Sequence, residues 1–361
     1  METDSTKYEK IIIDILHKLP SDDVSKIVNF AKFLSKANNE IKTTEEEWEE
    51  LHDRHDLAIS LIESGKLEKA TIELKKIIKL EPLFIDAYNH LGIIEFDKKN
   101  YRKALDFYEK AFITDNLYEI ITNASRNDST LDLISWLNID SRPFFRAMHG
   151  IGLCNMKMGN IEKAIEFFEL ILKYDPNDHQ FVSFLLGDLH FKVGHYKKAK
   201  KYYTNFLEYI PYKYSLALLN FQEKKVVDAL TLLRKGFITN INIAKSLLDI
   251  NPISSKEEYN HIHVKNKNIE EANEYKEHNF EMWKSIDGAI PFLRSVYNNS
   301  IVKSDTQTIL KKQAELFSSV PCSLEREYFI KQEEQMENGI DDSSSKKILK
   351  TMETPFHQFY S

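Results

Sequence analysis

Apolar residues along this chain recur at helical spacing, in pairs of short stripes separated by polar turns. Ile11, Ile12, Ile15 and Leu16 mark a first stripe, and Leu19-Pro20 breaks it. Ser21 suits the cap of a second helix, with Asp22 and Asp23 beside its positive end. Val24, Ile27, Val28, Ala31 and Leu34 make the next stripe, so residues 1–42 predict a helical hairpin. The most regular stretch is 145–211. Small residues stand there at fixed places: Gly152, Gly159 and Ala164, then Gly187, Gly194 and Ala199. A large apolar residue follows each alanine four positions later (Phe168, Tyr203), and a proline closes each unit (Pro176, Pro211). The same offsets occur upstream in 51–84 and 85–118, each 34 residues long.

This period and these small-residue positions resemble the tetratricopeptide repeat. Close helix packing explains the pattern. A small residue on the first helix and an alanine on the second let the two approach, and a glycine in the turn takes a positive φ. The expected fold is all-α, a tetratricopeptide-repeat α-solenoid with N- and C-terminal helical caps. The solenoid is expected over 43–250, with repeats at about 51–84, 85–118, 145–178, 180–213 and 214–244 and an insert at 119–144. The last repeat reads as having a truncated first helix. A helical end module is expected over 251–300, then C-terminal helices and a mobile tail over 301–361. GIDDSSSKK reads there as a loop.

Two further resemblances follow from quoted segments. IDSRPFFRA, KYDPNDHQ, YSLALLNFQ, LLRKGFITNINIAKSLL and EEANEYKEHNFEMWKSIDGAIPFL occur in this order over 139–294. The series resembles the bacterial tetratricopeptide proteins related to suppressor of tumorigenicity seven, which implies the fold and an absence of catalysis. LPSDDVSKIVNFAKFL resembles a short helical segment of bacterial antitoxin-like proteins. That likeness implies an alternative role, a regulatory or inhibitory subunit of a bacterial effector enzyme complex.

Composition narrows the class. The 361 residues are 42% hydrophobic and 29% charged, with only 10 Gly and 9 Pro, which favours helices over a turn-rich β protein. A net charge of −7 argues against a dedicated nucleic-acid binder. Cys154 and Cys322 cannot make a disulfide framework, and METDSTKYEK-IIIDIL is neither a signal peptide nor a membrane span. A cytoplasmic protein is expected.

No residue group reads as catalytic or metal-binding, and no cofactor or small-molecule substrate is indicated. Gly150-Ile151-Gly152 lacks the third glycine and preceding strand of a phosphate loop. His261-Ile262-His263 has no further ligand at metal spacing and reads as a polar surface loop. Cys154 reads as a buried thiol. Lys197, Lys198, Lys200 and Lys201 interleave with tyrosines, but those tyrosines occupy packing positions, which leaves a solvated basic face.

The expected function is therefore a non-catalytic scaffold or adaptor that binds another protein, as a peptide or a helix, in a concave groove. The repeat resemblance implies that positions two, five, nine, twelve and thirteen of each unit line a concave groove. Asn89, Phe96, Arg146, His149, Lys157, Phe181, Phe184, Phe191 and Lys192 are the candidate groove residues. Arg146, Phe181 and Phe184 are the expected anchors. Chaperone-binding relatives hold a peptide carboxylate with an asparagine. Asp56, His90, Gly150 and Leu185 stand at that place here, which argues against such a clamp.

Overall fold

The computed structural model describes residues 45–114, 136–250, 262–319, 331 and 334–352. Among these, every regular element is helical. The predicted hairpin at 1–42 and most of the 119–144 insert lie outside the described residues. The chain divides into two compact units, residues 1–179 and 180–361.

Unit 1 holds α1 (Glu45–Glu63), α2 (Leu67–Leu80), α3 (Ile85–Asp97), α4 (Tyr101–Thr114), α5 (Arg142–Lys157) and α6 (Ile161–Tyr174). They pack as the sequential antiparallel pairs α1/α2, α3/α4 and α5/α6. Ala58, Ala70, Ala104 and Ala164 are fully buried where paired helices meet. The glycines receive aromatic rings. A Cβ on Gly92 would stand 2.7 Å from the Tyr108 ring, and one on Gly150 would stand 2.4 Å from the same ring. Tyr108 is thus wedged from α4 between α3 and α5, and Phe168 of α6 lies as closely on Gly152. Small residue and large ring are two halves of one contact, which is why the sequence carries them at a fixed offset.

One turn geometry recurs through both units. Gly65, Lys99, Gly159, Gly194, Lys224 and Asp249 all have positive φ. In each case the next residue's N–H donates to the carbonyl five residues back, as in Lys66 to Leu61 and Asn100 to Glu95. This closes the helix with a Schellman motif, at the first helix of a pair in five cases and at the far end of the kinked α10 for Asp249. Lys99 (φ 61) and Lys224 (φ 61) hold the left-handed conformation without being glycine, so the turn is imposed by the flanking helices.

Unit 2 contains α7 (Ser183–Lys192), α8 (Tyr196–Asn205), α9 (Ile210–Gln222), α10 (Val226–Leu247), α11 (Ile262–Ser285), α12 (Ala289–Asn298), α13 (Ser300–Ser319) and α14 (Asp342–Leu349). The turn at Lys224 places the start of the fifth repeat at Ile210, not Tyr214. Its first helix is not truncated, since α9 has 13 residues. The shortened element is α8, with 10 residues against 14 in α2, α4 and α6. Pro211 opens α9 at a first-turn position rather than closing the repeat before it. α10 runs through a non-helical Asn240 (φ −152, ψ 85), whose carbonyl accepts from the buried Tyr214 hydroxyl at 2.7 Å. Gly288 (φ 77) breaks the chain before α12.

The C-terminal segment departs most from expectation. GIDDSSSKK is not a mobile loop: Asp341 caps α14 by accepting from the Ser344 N–H at 2.8 Å. Ile340, Ile348, Leu349 and Met352 are buried. Two buried cations explain the docking. Arg234 of α10 donates to Ser344 and Ser345 at 2.7 and 2.9 Å and pairs with Asp305 at 3.2 Å. Lys213 of α9 meets Glu337 at 3.3 Å. A charge removed from water needs partners, and the C-terminal segment supplies them.

Candidate protein-binding face

The first helices of unit 1 present a row of apolar side chains. Ile59 and Ile62 of α1, Ile93 and Phe96 of α3, and Leu153 and Met156 of α5 occupy positions nine and twelve of successive repeats. All are half-buried. Glu63 and Asp97, at position thirteen, are exposed beside them. The helices packed on α1, α3 and α5 are their neighbours in the repeat series.

The polar residues beside this row are engaged with one another. Asp86 and Arg146 stand at position two of adjacent repeats. Arg146 Nη2 donates to both Asp86 oxygens at 2.8 and 2.7 Å, and Nε donates at 3.2 Å. Asn89 is fully buried, its amide donating to the Pro143 carbonyl at 2.8 Å and to Asp86 at 3.2 Å. His90 Nδ1 donates to the Asp86 carbonyl at 2.8 Å, because a carbonyl can only accept. His55 Nε2 lies 3.2 Å from that same nitrogen as a second acceptor, which requires a neutral His55. Burial first, and then the neighbouring His90, push the His55 pKa down to about 4. His149 packs edge-on against Phe168. Phe96 packs edge-on against Tyr101 at 5.2 Å, and Lys157 is half-buried.

In unit 2 the corresponding face is covered. α11 crosses the first helices α7 and α9. Asn279 donates to Asp188 Oδ2 at 2.8 Å, while the Tyr203 hydroxyl donates to Oδ1 of the same carboxylate at 2.8 Å. Lys192 Nζ donates to the His278 carbonyl at 2.7 Å. Tyr275 Oη lies 3.0 Å from Ser215 Oγ and accepts from the Trp283 indole at 3.0 Å. Asp188 and Lys192 are positions nine and thirteen of their repeat, the places expected to face a partner. Burial pushes the Asp188 carboxyl above its ordinary range. Desolvation and the adjacent Asp188 push the Tyr203 hydroxyl well above its own.

The other unit 2 candidates fare differently. Phe191 belongs to the hydrophobic core at 4% exposure, with no surface for a partner. Phe184 stacks on Tyr209 at 4.5 Å and packs against the core. Phe181 is 64% exposed, with φ 56, its ring parallel to Phe184 at 5.9 Å. A bulky residue held at positive φ is strained.

The remaining motifs behave as packing elements. Cys154 is buried and its thiol is pushed up to about 12 by desolvation. Tyr203 is buried, Tyr202 stacks on His190, and Lys200 pairs with Glu223 at 2.7 Å. Residue 263 lies inside α11, so the expected loop around the His-Ile-His motif is helical from Ile262; His261 lies outside the described residues. No group of metal-ligating side chains occurs among the described residues, and no helix there is long and apolar enough to cross a membrane.

The family model described as Tcf25, transcriptional repressor TCF25, matches residues 69–353, from α2 to just beyond α14. The chain belongs to this family. A curated relative is the type IV pilus assembly protein PilF of Pseudomonas aeruginosa, 25% identical over 162 residues. That match covers 42% of this chain and 64% of PilF, less than two thirds of the relative's length. A solved structure titled a functional characterization of Pseudomonas aeruginosa pilF is 16% identical, covering 68% of this chain and 97% of that one. Its TM-score of 0.28 is too low to bear on the site. The structure itself is built of tetratricopeptide-like helix pairs. Nothing among the matches supports the finer likeness to suppressor of tumorigenicity seven relatives.

Proposed function

We propose that the chain is a non-catalytic scaffold that binds another protein on the inner face of unit 1. One contrast carries this reading. The same repeat face is filled in unit 2 by α11, whereas in unit 1 its position-nine and position-twelve side chains stay half-exposed as one apolar row. A continuous apolar band beside exposed carboxylates is the composition of an interface centre with a polar rim. In this reading Phe96, His149 and Lys157 border the bound partner, and Asp86–Arg146 fixes the spacing of α3 and α5. In unit 2 the exposed ring of Phe181 offers a smaller second contact.

Leu153→Glu together with Met156→Glu should abolish capture of the native partner by the full chain, with the melting temperature as the folding control. Undiminished recovery of the same partner by a folded variant would remove this site. A second reading is a regulatory subunit that restrains what it binds. The family's description as a transcriptional repressor favours it. The partner's own activity, measured with and without the chain, separates the two: a scaffold leaves it unchanged and a restraining subunit lowers it. The antitoxin-like segment that first pointed to such a role lies outside the described residues.

A further inference from the structure

The polar groups of the unit 1 face decide what kind of polypeptide it takes, and we infer that its occupant is an amphipathic α-helix with a basic flank, not an extended peptide. This rests on the reading of that face as the partner site. An extended peptide brings unpaired backbone N–H and C=O groups into the groove, and each must find a side-chain partner there. Most of the donors placed to supply them are engaged within the protein; Arg146 Nη1, at the exposed end of its side chain, is the exception among the contacts described. The Asn89 amide is buried and donates to Pro143 and Asp86. The Arg146 guanidinium is held by Asp86 through three short contacts. What remains in the middle of the face is the apolar row. A helix satisfies its own backbone internally and needs only side-chain contact, so it matches such a row.

The chain contains an instance of this seating. α11 lies on the equivalent face of unit 2 and touches positions five, six, nine and thirteen of successive repeats there, through Tyr275, His278 and Asn279. Its side chains at 275, 279, 282 and 283 form one helical stripe, and all four are buried. Where α11 meets a carboxylate it offers an amide and a hydroxyl. The unit 1 face replaces Asp188 with apolar residues at position nine, so the matching helix there carries an apolar stripe. Position thirteen carries exposed Glu63 and Asp97 in the first two repeats and half-buried Lys157 in the third, which sets complementary Lys or Arg on the part of the helix flank that faces the first two.

The test is a selection of a displayed random peptide library, of about 20 residues, on the immobilised full chain. Counter-selection uses the Leu153→Glu/Met156→Glu variant. Enriched sequences should show apolar residues at i, i+3, i+4 and i+7 with Lys or Arg to one side. A proline placed in the middle of an enriched peptide should weaken binding at least ~10-fold. Glu63→Lys with Asp97→Lys, both at exposed positions that leave the fold intact, should weaken it ~3–10-fold at low salt. Enriched sequences that alternate with period two, or that tolerate the central proline, overturn the helix inference while leaving the face as a binding site. Failure of any sequence to distinguish the parent chain from the folded variant overturns both.

Discussion

If α11 is seated on the first helices of unit 2, then Asp188 and Asn279 must be energetically coupled although 91 residues separate them. Asn279 is 2% exposed, and its amide donates to the Asp188 carboxylate, as does the Tyr203 hydroxyl. A hydrogen bond contributes about 0.5–1.5 kcal/mol, rising to about 3 where one partner is ionised, and a buried partner left unpaired loses a comparable amount. Asn279→Leu and Asp188→Leu should each destabilise unit 2 by roughly 2–3 kcal/mol. Together they should cost less than the sum by about 1–2 kcal/mol, because the double variant leaves neither group without its partner. Trp283 is the one tryptophan of unit 2, since the chain's other two, Trp48 and Trp136, precede residue 180. In a Trp48→Phe/Trp136→Phe background its fluorescence therefore follows the urea unfolding of unit 2 alone, which matters because two units need not unfold together. Additivity within about 0.5 kcal/mol would refute the seating of α11 on α7.

Three other perturbations test separate parts of the structure. The depressed pKa of His55 means that protonation favours the unfolded chain, so its contribution is complete above pH 6.5 and is lost as pH falls toward about 4. Discounted for solvent screening, that loss is ~1–2 kcal/mol, and His55→Gln should remove this part of the acid dependence in denaturant titrations that follow Trp48. Around it, His90 and His52 lower the His55 pKa, while Asp86 and Asp56 raise it. Lys99→Gly and Lys224→Gly should each raise stability by roughly 0.5–1 kcal/mol, measured as a shift in urea midpoint at constant slope, because both turns already hold positive φ. Ending the chain before residue 334 should destabilise unit 2 by about 3–5 kcal/mol by stranding Lys213 and removing the serine contacts of Arg234, which keeps Asp305, and Lys213→Met in the shortened chain should recover part of it.

Much of the repeat architecture is legible in the sequence because its causes are local. The turn residues, the buried alanines and the glycine-to-ring contacts at Gly92, Gly150 and Gly152 all act within one helix pair or between adjacent ones. The 30-residue step from Gly194 to Lys224 was hidden because Lys224 does the work of a glycine, and because Pro211 reads equally as a closing or an opening residue. α14 was hidden for another reason. Asp, Ser and Lys in succession look like a solvated loop, and it is Thr231 and the buried Arg234, more than a hundred residues earlier, that make Ser345 a core residue.

The candidate face was half legible. Positions nine and twelve follow from helical geometry, and the Asp86–Arg146 pair could have been read from opposite charges at position two of neighbouring repeats. Arg146 was instead assigned to a partner. That α11 covers the first helices of unit 2 was not legible, since an amphipathic stripe names the residues that are buried and not what buries them.

The account stands or falls on whether the inner face is open in unit 1 and closed in unit 2. Single cysteines at residues 59, 93 and 156 in unit 1, and at 188 and 215 in unit 2, answer this by the rate of thiol labelling. The full-length chain is used, with Cys154→Ala and Cys322→Ser as the background. The prediction is rapid labelling at the unit 1 positions and protection of at least ~100-fold at the unit 2 positions, relieved only on unfolding. Equal protection of residues 59, 93 and 156 would mean that the chain covers this face as well, and would contradict the account.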